Sequence, residues 1–318
     1  MGGFWHRLAF AYGSAIILMF FSEYFFINEA PVAALLGDLN TAPMLAIPAL
    51  LSFAGFYTLF TYPMLVALSY FKVRTLSGLL LAGALFGWAT EGITIPVIYE
   101  AIPVSFVFPS IGWHGLVDVV LGWYFVRLAM RRLGWPGLAL VFALLGVAWG
   151  IWATWFWGPE AMAPLSTEDF ALLAVVTAGF WLLGMVLADR FGTGEFAASK
   201  WELGVVGLIY LGLFWLIALP YLPLSLLILP LVGATLLALW RGRNQVDGVE
   251  ILARLHPQRP RWWAYLLALL TPLSAVLVYP LMLDAELQVS AQGVVSGLLL
   301  LGTLWFIWAL AVPFIRRL

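Results

Sequence analysis

Residues 127–156 read RLAMRRLGWPGLALVFALLGVAWGIWATWF. Three arginines close one apolar segment, and from Gly137 to Phe156 there is no charged residue. A bilayer-spanning α-helix needs about 20 mostly apolar residues, because the hydrocarbon core is about 30 Å thick. The stretch 137–156 meets that length and is predicted to span a membrane, with the arginines held at one surface.

The composition extends this reading to the whole chain. It has 318 residues, of which 64% are hydrophobic and 10% charged, whereas a soluble globular chain carries roughly 25% charge. So few charges could not cover a water-facing surface. A nucleic-acid binder, a secreted scaffold and a large soluble catalytic domain are excluded. Cysteine is absent, which removes disulfides, thiolate chemistry and cysteine-ligated metals.

Ten segments have spanning character: 8–26, 44–70, 77–97, 111–130, 137–156, 169–188, 202–219, 223–240, 262–280 and 291–313. The second is long and contains Pro48 and Pro63, so it is expected to tilt or kink. Only Pro220, Tyr221, Leu222 and Pro223 separate the seventh from the eighth. The expected fold is therefore all-α: a polytopic integral membrane helical bundle of about ten transmembrane helices, forming one transmembrane domain over 1–318. The first segment follows Arg7 as a signal peptide would. It runs into Glu23, Phe25 and Phe26 without a small-residue cleavage site, and is expected to be retained.

Charge placement tests the count independently. Arg7, Lys72, Arg74, Arg127, Arg131, Arg132, Arg190, Lys200, Arg241, Arg243, Arg254, Arg259, Arg261, Arg316 and Arg317 are all 15 basic residues. With ten helices and both termini cytoplasmic, every one falls on the cytoplasmic side, as the positive-inside rule requires. The expected location is a prokaryotic cytoplasmic membrane, with membrane lipids as surroundings.

The acids are distributed differently. Asp189, Glu195, Glu202, Asp247 and Glu250 fall at the cytoplasmic boundary. Asp38, Glu160, Asp284 and Glu286 read as water-facing groups. Ser166 and Asp169 have capping-box spacing at the start of the sixth helix, with Glu168 in its first turn.

A residual set is predicted at one depth, the outer third of the membrane. Glu23, Asn28 and Glu29 lie in FSEYFFINEAP, Glu91 in FGWATEGITIP, Glu100 in the next connection, and His114 and Asp118 in SIGWHGLVD. Ionisable groups within a membrane normally face the bundle interior or a wet cavity. Gly83, Gly87 and Glu91 share one helix face, and small residues at that spacing allow close helix contact. Thr90 and Thr94 can add hydroxyl donors nearby. His114 and Asp118 are four apart, so the carboxylate can accept a ring N–H and fix the tautomer. A buried pair of purely structural value has the same spacing.

The connection 98–112 reads IYEAIPVSFVFPSIG, unusually apolar for an aqueous loop, and is expected to form a re-entrant or interfacial cover. Phe106, Phe108, Trp113, Trp88 and Tyr99 can line an apolar cavity under it. Trp152, Trp155 and Trp157 are expected at the membrane interface. Helices five to ten offer few internal polar groups.

These residues point first to an intramembrane enzyme. Its outward-facing Glu/His/Asp site, with Glu91, His114, Asp118 and Glu100 as catalytic residues, would act on a lipid-like or isoprenoid substrate by acid–base chemistry. Its metal-assisted version places a divalent metal on His114, Asp118 and Glu91, because no outer basic residue is available to hold a phosphate. The alternative is a proton- or cation-coupled transporter of a small solute. Against it stand the depth of the acids, nearer the outer face than the midplane where transporter sites usually lie, and the lack of a matching polar pathway in the cytoplasmic half. A structural or assembly role is the third reading.

Overall fold

A computed structural model describes residues 3–157, 164–243, 248–256 and 258–315. Glu160, Asp247, Arg316 and Arg317 lie outside the described residues, as does the side chain of Trp157. Among the described residues, ten helices are long and apolar enough to cross a membrane. They are α1 (Phe4–Phe25), α3 (Pro43–Tyr70), α4 (Leu76–Thr94), α5 (Val104–Arg132), α6 (Trp135–Trp155), α7 (Thr167–Phe191), α8 (Lys200–Tyr221), α9 (Leu224–Gly242), α10 (Trp262–Asp284) and α11 (Ala291–Ile315). The chain is thus an all-α, multi-pass membrane bundle. Ser166 Oγ accepts from the Asp169 amide at 3.0 Å, so α7 begins on the expected cap. Pro48 and Pro63 both lie inside α3.

One further helix, α2 (Glu29–Thr41), runs between the first two spans. It is too short to cross, and it buries only Val32, Leu35 and Leu36 against the bundle. Sequence reading leaves this stretch as a plain connection, because its apolar stripe is interrupted by exposed alanines and polar groups.

Burial ranks the spans. In α1, 83% of the most apolar window is buried inside the protein, against 6% in α8. α1 is the central post, and α8 lies against the outside. The close contacts are made by glycine. A Cβ on Gly13 of α1 would stand 2.6 Å from the Ala188 nitrogen of α7. A Cβ on Gly87 of α4 would stand 2.0 Å from Ser110 O of α5, and one on Gly83 3.0 Å from Gly115 Cα. Hydrogen at these positions lets the backbones touch, which in a membrane replaces the missing hydrophobic drive between helices. The shared face of Gly83, Gly87 and Glu91 is therefore the α4–α5 seam.

Among the described residues four stretches are π-helical: Phe20–Phe25, Ala89–Thr94, Ser110–Phe125 and Phe214–Ala218. Such turns close i→i+5 hydrogen bonds and concentrate at functional sites. Glu23, Glu91, His114 and Asp118 lie on three of them, and the Phe214–Ala218 stretch of α8 packs against the turn that holds Glu91.

Candidate functional site

α1 and α4 run from an arginine- or lysine-bearing end to an acidic one, and α5 runs the opposite way. Glu23 and Glu91 stand near the C-terminal ends of α1 and α4, while His114 and Asp118 stand in the N-terminal part of α5. The three helices therefore bring these groups to one depth, away from the arginines.

The end of α1 is held by tryptophans. The last carbonyls of a helix have no partner within it. Here Trp113 Nε1 donates to Phe21 O at 3.1 Å, Trp149 Nε1 to Tyr24 O at 3.0 Å, and Trp152 and Trp155 Nε1 to Phe26 O at 2.9 and 2.7 Å. Both the Trp152 and Trp155 indoles turn inward onto a helix end, and Trp152 is buried. Trp113 likewise belongs to this clamp, meeting Phe26 edge-on and Trp152 at a tilt. Ile27 then takes φ 60° with its side chain fully buried. A β-branched residue in this left-handed region is strained. The turn brings Asn28 back over Glu23, whose Oε2 accepts from Asn28 Nδ2 at 2.6 Å.

His114 sits at the centre of the cluster. Its Nδ1 is 2.7 Å from Asp118 Oδ2, and its Nε2 is 2.7 Å from Glu91 Oε1. Ser22 Oγ lies 3.3 Å from Nδ1 and 2.7 Å from Tyr57 OH. Tyr57 OH donates to Glu23 Oε1. A continuous line of contacts thus runs Asn28–Glu23–Tyr57–Ser22–His114, and forks to Glu91 and Asp118. All but Asn28 are buried, and the Glu91 side chain retains 11% exposure. Phe86 covers the ring edge-on at 5.8 Å.

Each 2.7 Å contact of His114 requires a hydrogen. A neutral imidazole supplies one N–H and one acceptor. Either the ring is an imidazolium between two carboxylates, or it is neutral and one carboxyl group carries the second proton. Both forms hold two protons among three groups. Removing one leaves two acceptors facing each other, so a contact must open.

Among the sequence-predicted residues, Glu91, His114, Asp118, Glu23 and Asn28 are brought together. Glu100 and Glu29 are not. Glu100 is exposed and its side chain has no hydrogen bond or ion pair with a described residue, because the connection turns it outward while Tyr99 and Ser105 tuck in. Glu29 is exposed in the first turn of α2, where a carboxylate complements the helix N-terminus. Thr90 and Thr94 donate to carbonyls of their own helix, at 3.0 and 2.7 Å, and not to Glu91.

The connection itself folds as two short 3-10 turns, Pro96–Tyr99 and Val104–Phe106. Trp88 Nε1 donates across to Phe106 O at 2.9 Å.

Metal ligation is not favoured by this geometry. Both ring nitrogens already face carboxylates, on opposite sides of the imidazole. Among the described residues no three His, Asp or Glu side chains converge on a common point as ligands.

Sequence reasoning missed Tyr57 and Ser22. Neither is ionised at neutral pH, so an inventory of charges passes over them. It also missed the buried charge at the arginine end. Arg127 is fully buried, and its Nη2 reaches Asp189 Oδ1 at 2.9 Å. Arg131 donates to the same oxygen at 2.5 Å, and Tyr265 OH donates to Oδ2 at 2.8 Å. Glu202 is buried with Arg7, whose Nε donates to it at 3.1 Å, and with Tyr62. The arginine end therefore holds enclosed polar groups, as two separate ion-paired sets. Arg127, Asp189 and Glu202 were read as boundary charges, yet helix packing encloses them.

Comparison with known proteins found no matching family model, no matching curated protein and no matching solved structure.

The single span α5 connects the two polar sets. It carries His114 and Asp118 in its N-terminal part and Arg127 and Arg131 near its C-terminal end. Between them, Trp123 lies under the Arg127 guanidinium, 5.2 Å from ring centre to Cζ.

Proposed function

We propose that the chain is a proton-coupled membrane transporter of a small solute, with His114, Glu91 and Asp118 as the proton-binding group. The observation that carries this is the imidazole hydrogen-bonded through both nitrogens to buried carboxylates on two helices. Its proton count bears on the α4–α5 contact: losing one proton obliges the ring to part either from Glu91 on α4 or from Asp118 on its own helix. A change of protonation is thereby a change of packing, which is what coupling requires. Glu23, Tyr57 and Ser22 supply a hydrogen-bonded route to the trio. The buried Arg127–Asp189–Tyr265 and Arg7–Glu202–Tyr62 sets give the opposite half the polar interior that a transport path needs. Carboxylates with no arginine or lysine beside them favour a cationic or neutral solute over an anion.

Acid–base chemistry on a lipid-like substrate would use the same trio, but needs a substrate cavity at His114. Cavities of about 710 and 330 Å³ are lined instead by Tyr12, Tyr62 and Glu202, and by Lys72, Arg74 and Trp308. The tie between the proton count at His114 and helix contact favours the transport reading.

The direct test is purified protein in liposomes with a trapped pH dye, an imposed pH gradient, and a panel of small amines and neutral solutes. Solute-dependent proton flux is expected, and is expected to vanish in Glu91→Gln and His114→Ala. Flux that is absent with every solute, or unchanged in both variants, refutes the reading.

A further inference from the structure

At the arginine end, a cavity of about 610 Å³ opens where the end of α5 meets the start of α10. Arg131, Arg132, Arg259 and Arg261 line it, with Gln258 and Trp263, and no carboxylate of the described residues is in its wall. Orientation by the positive-inside rule needs basic residues on this side, but it does not need them to converge.

The four arginines are not equivalent. Arg131 is fixed by the protein, donating to Asp189, to Leu255 O at 2.7 Å and to Arg127 O at 2.7 Å. Arg132, Arg259 and Arg261 are exposed and make no ion pair with a described carboxylate. Arg259 donates only to Arg190 O, at 3.4 Å. Three unneutralised guanidinium groups around one hollow repel one another unless an anion sits between them. Their planar forks match phosphate oxygens.

The surroundings say which phosphate. Trp135 and Trp262 flank the hollow, 68% and 73% exposed, at the level where an aromatic belt meets headgroups. Leu140 and Leu144 of α6, and Leu266, Leu269 and Leu273 of α10, are exposed on the faces of these helices turned away from their shared seam. An anion seated among the arginines would have this apolar outer surface of the bundle beneath it. We infer that this cavity binds the phosphate headgroup of an anionic phospholipid, with its acyl chains running down the apolar outer surface of the bundle.

Native mass spectrometry of the purified full chain, titrated with phosphatidylglycerol or phosphatidylcholine, tests this. One tightly held phosphatidylglycerol per chain is expected. The variant Arg132→Gln/Arg259→Gln/Arg261→Gln should bind it on the order of a hundredfold more weakly, since each cation near the surface contributes about a factor of five. Lys72→Gln/Lys200→Gln/Arg241→Gln removes the same charge from the same side, outside the cavity, and should change binding little. A triple Arg→Lys variant at the cavity should recover most of the affinity, which separates lost charge from lost folding. Equal loss in the two Gln variants, equal binding of phosphatidylcholine, or no recovery with lysine overturns the assignment. Inorganic phosphate alone binding as tightly as the lipid would assign the cavity to a soluble anion and likewise overturn it.

Discussion

Gly87→Ala is the sharpest probe of how the site is held together. A Cβ at this position would stand 2.0 Å from Ser110 O and 2.7 Å from Ser110 C, where ordinary contact begins at 3.4 Å. The obstacle is backbone on a buried helix, so it cannot swing aside. α4 and α5 must separate locally by the difference, 3.4 less 2.0, roughly 1.4 Å. Overpacking of this kind costs about 1–3 kcal/mol. The helical gain from replacing glycine by alanine, up to about 1 kcal/mol, offsets only part of it. Four residues along the same face, the Glu91–His114 contact is 2.7 Å long. Opened by even half that separation it approaches the limit of a hydrogen bond. The assay is thermal or denaturant unfolding in detergent, alongside proton flux in liposomes. Gly179→Ala is the reference, since nothing lies within 4 Å of a Cβ there. Gly83→Ala should fall between, its nearest obstacle being 3.0 Å away. Gly87→Ala as stable and as active as Gly179→Ala would refute the α4–α5 seam as what positions the trio.

Other outcomes follow from the same geometry. His114→Ala strips two buried carboxylates of their shared partner and should cost about 3–5 kcal/mol on unfolding, as broken buried pairs do; a loss below about 1 kcal/mol would mean the pair is not buried in solution. Arg127→Met, with Arg127 fully enclosed beside Asp189, should lower the melting temperature well beyond Arg132→Met, which is exposed. Trp149→Phe should cost about 1–3 kcal/mol by leaving Tyr24 O unpaired. Trp152→Phe should cost less, because Trp155 donates to the same Phe26 carbonyl. His256, between α9 and α10, is pushed down to about 3 by burial and by Arg127 and Arg131, against a smaller upward pull from Asp189. It is neutral when folded and takes a proton when unfolded below its ordinary value near 6.5. Stability should therefore fall as pH drops from about 6.5 toward 3, and His256→Phe should flatten that slope in pH-dependent melting.

The spans were legible in the sequence because bilayer thickness acts on every residue of a segment at once. Arginine placement was legible because insertion reads charge directly. Glu91, His114 and Asp118 were legible as isolated ionisable groups in apolar runs, and the Gly83–Gly87 spacing told which way Glu91 faces. Tyr57 and Ser22 were not, since hydroxyls in membrane helices more often back-bond to their own carbonyls, as Thr58 and Thr61 do here. Nor could the sequence separate Glu100 from the cluster. That depends on the handedness of two short turns, and spacing along the chain carries no information about it. The burial of Arg127 and Asp189 was hidden for another reason. A charge within a turn of a helix end looks the same in sequence whether it meets water or a second helix.

The π-helical turns have a mechanical consequence. A π turn holds one more residue than an α turn, and one residue of α-helix corresponds to about 100° of rotation. Converting the Ala89–Thr94 turn to α would twist everything beyond it by roughly that angle, with no covalent change and no net loss of backbone bonds. Glu91 would leave His114 as a gear tooth leaves its gap. The place of Glu91 against His114 is thus set by the pitch of this one turn.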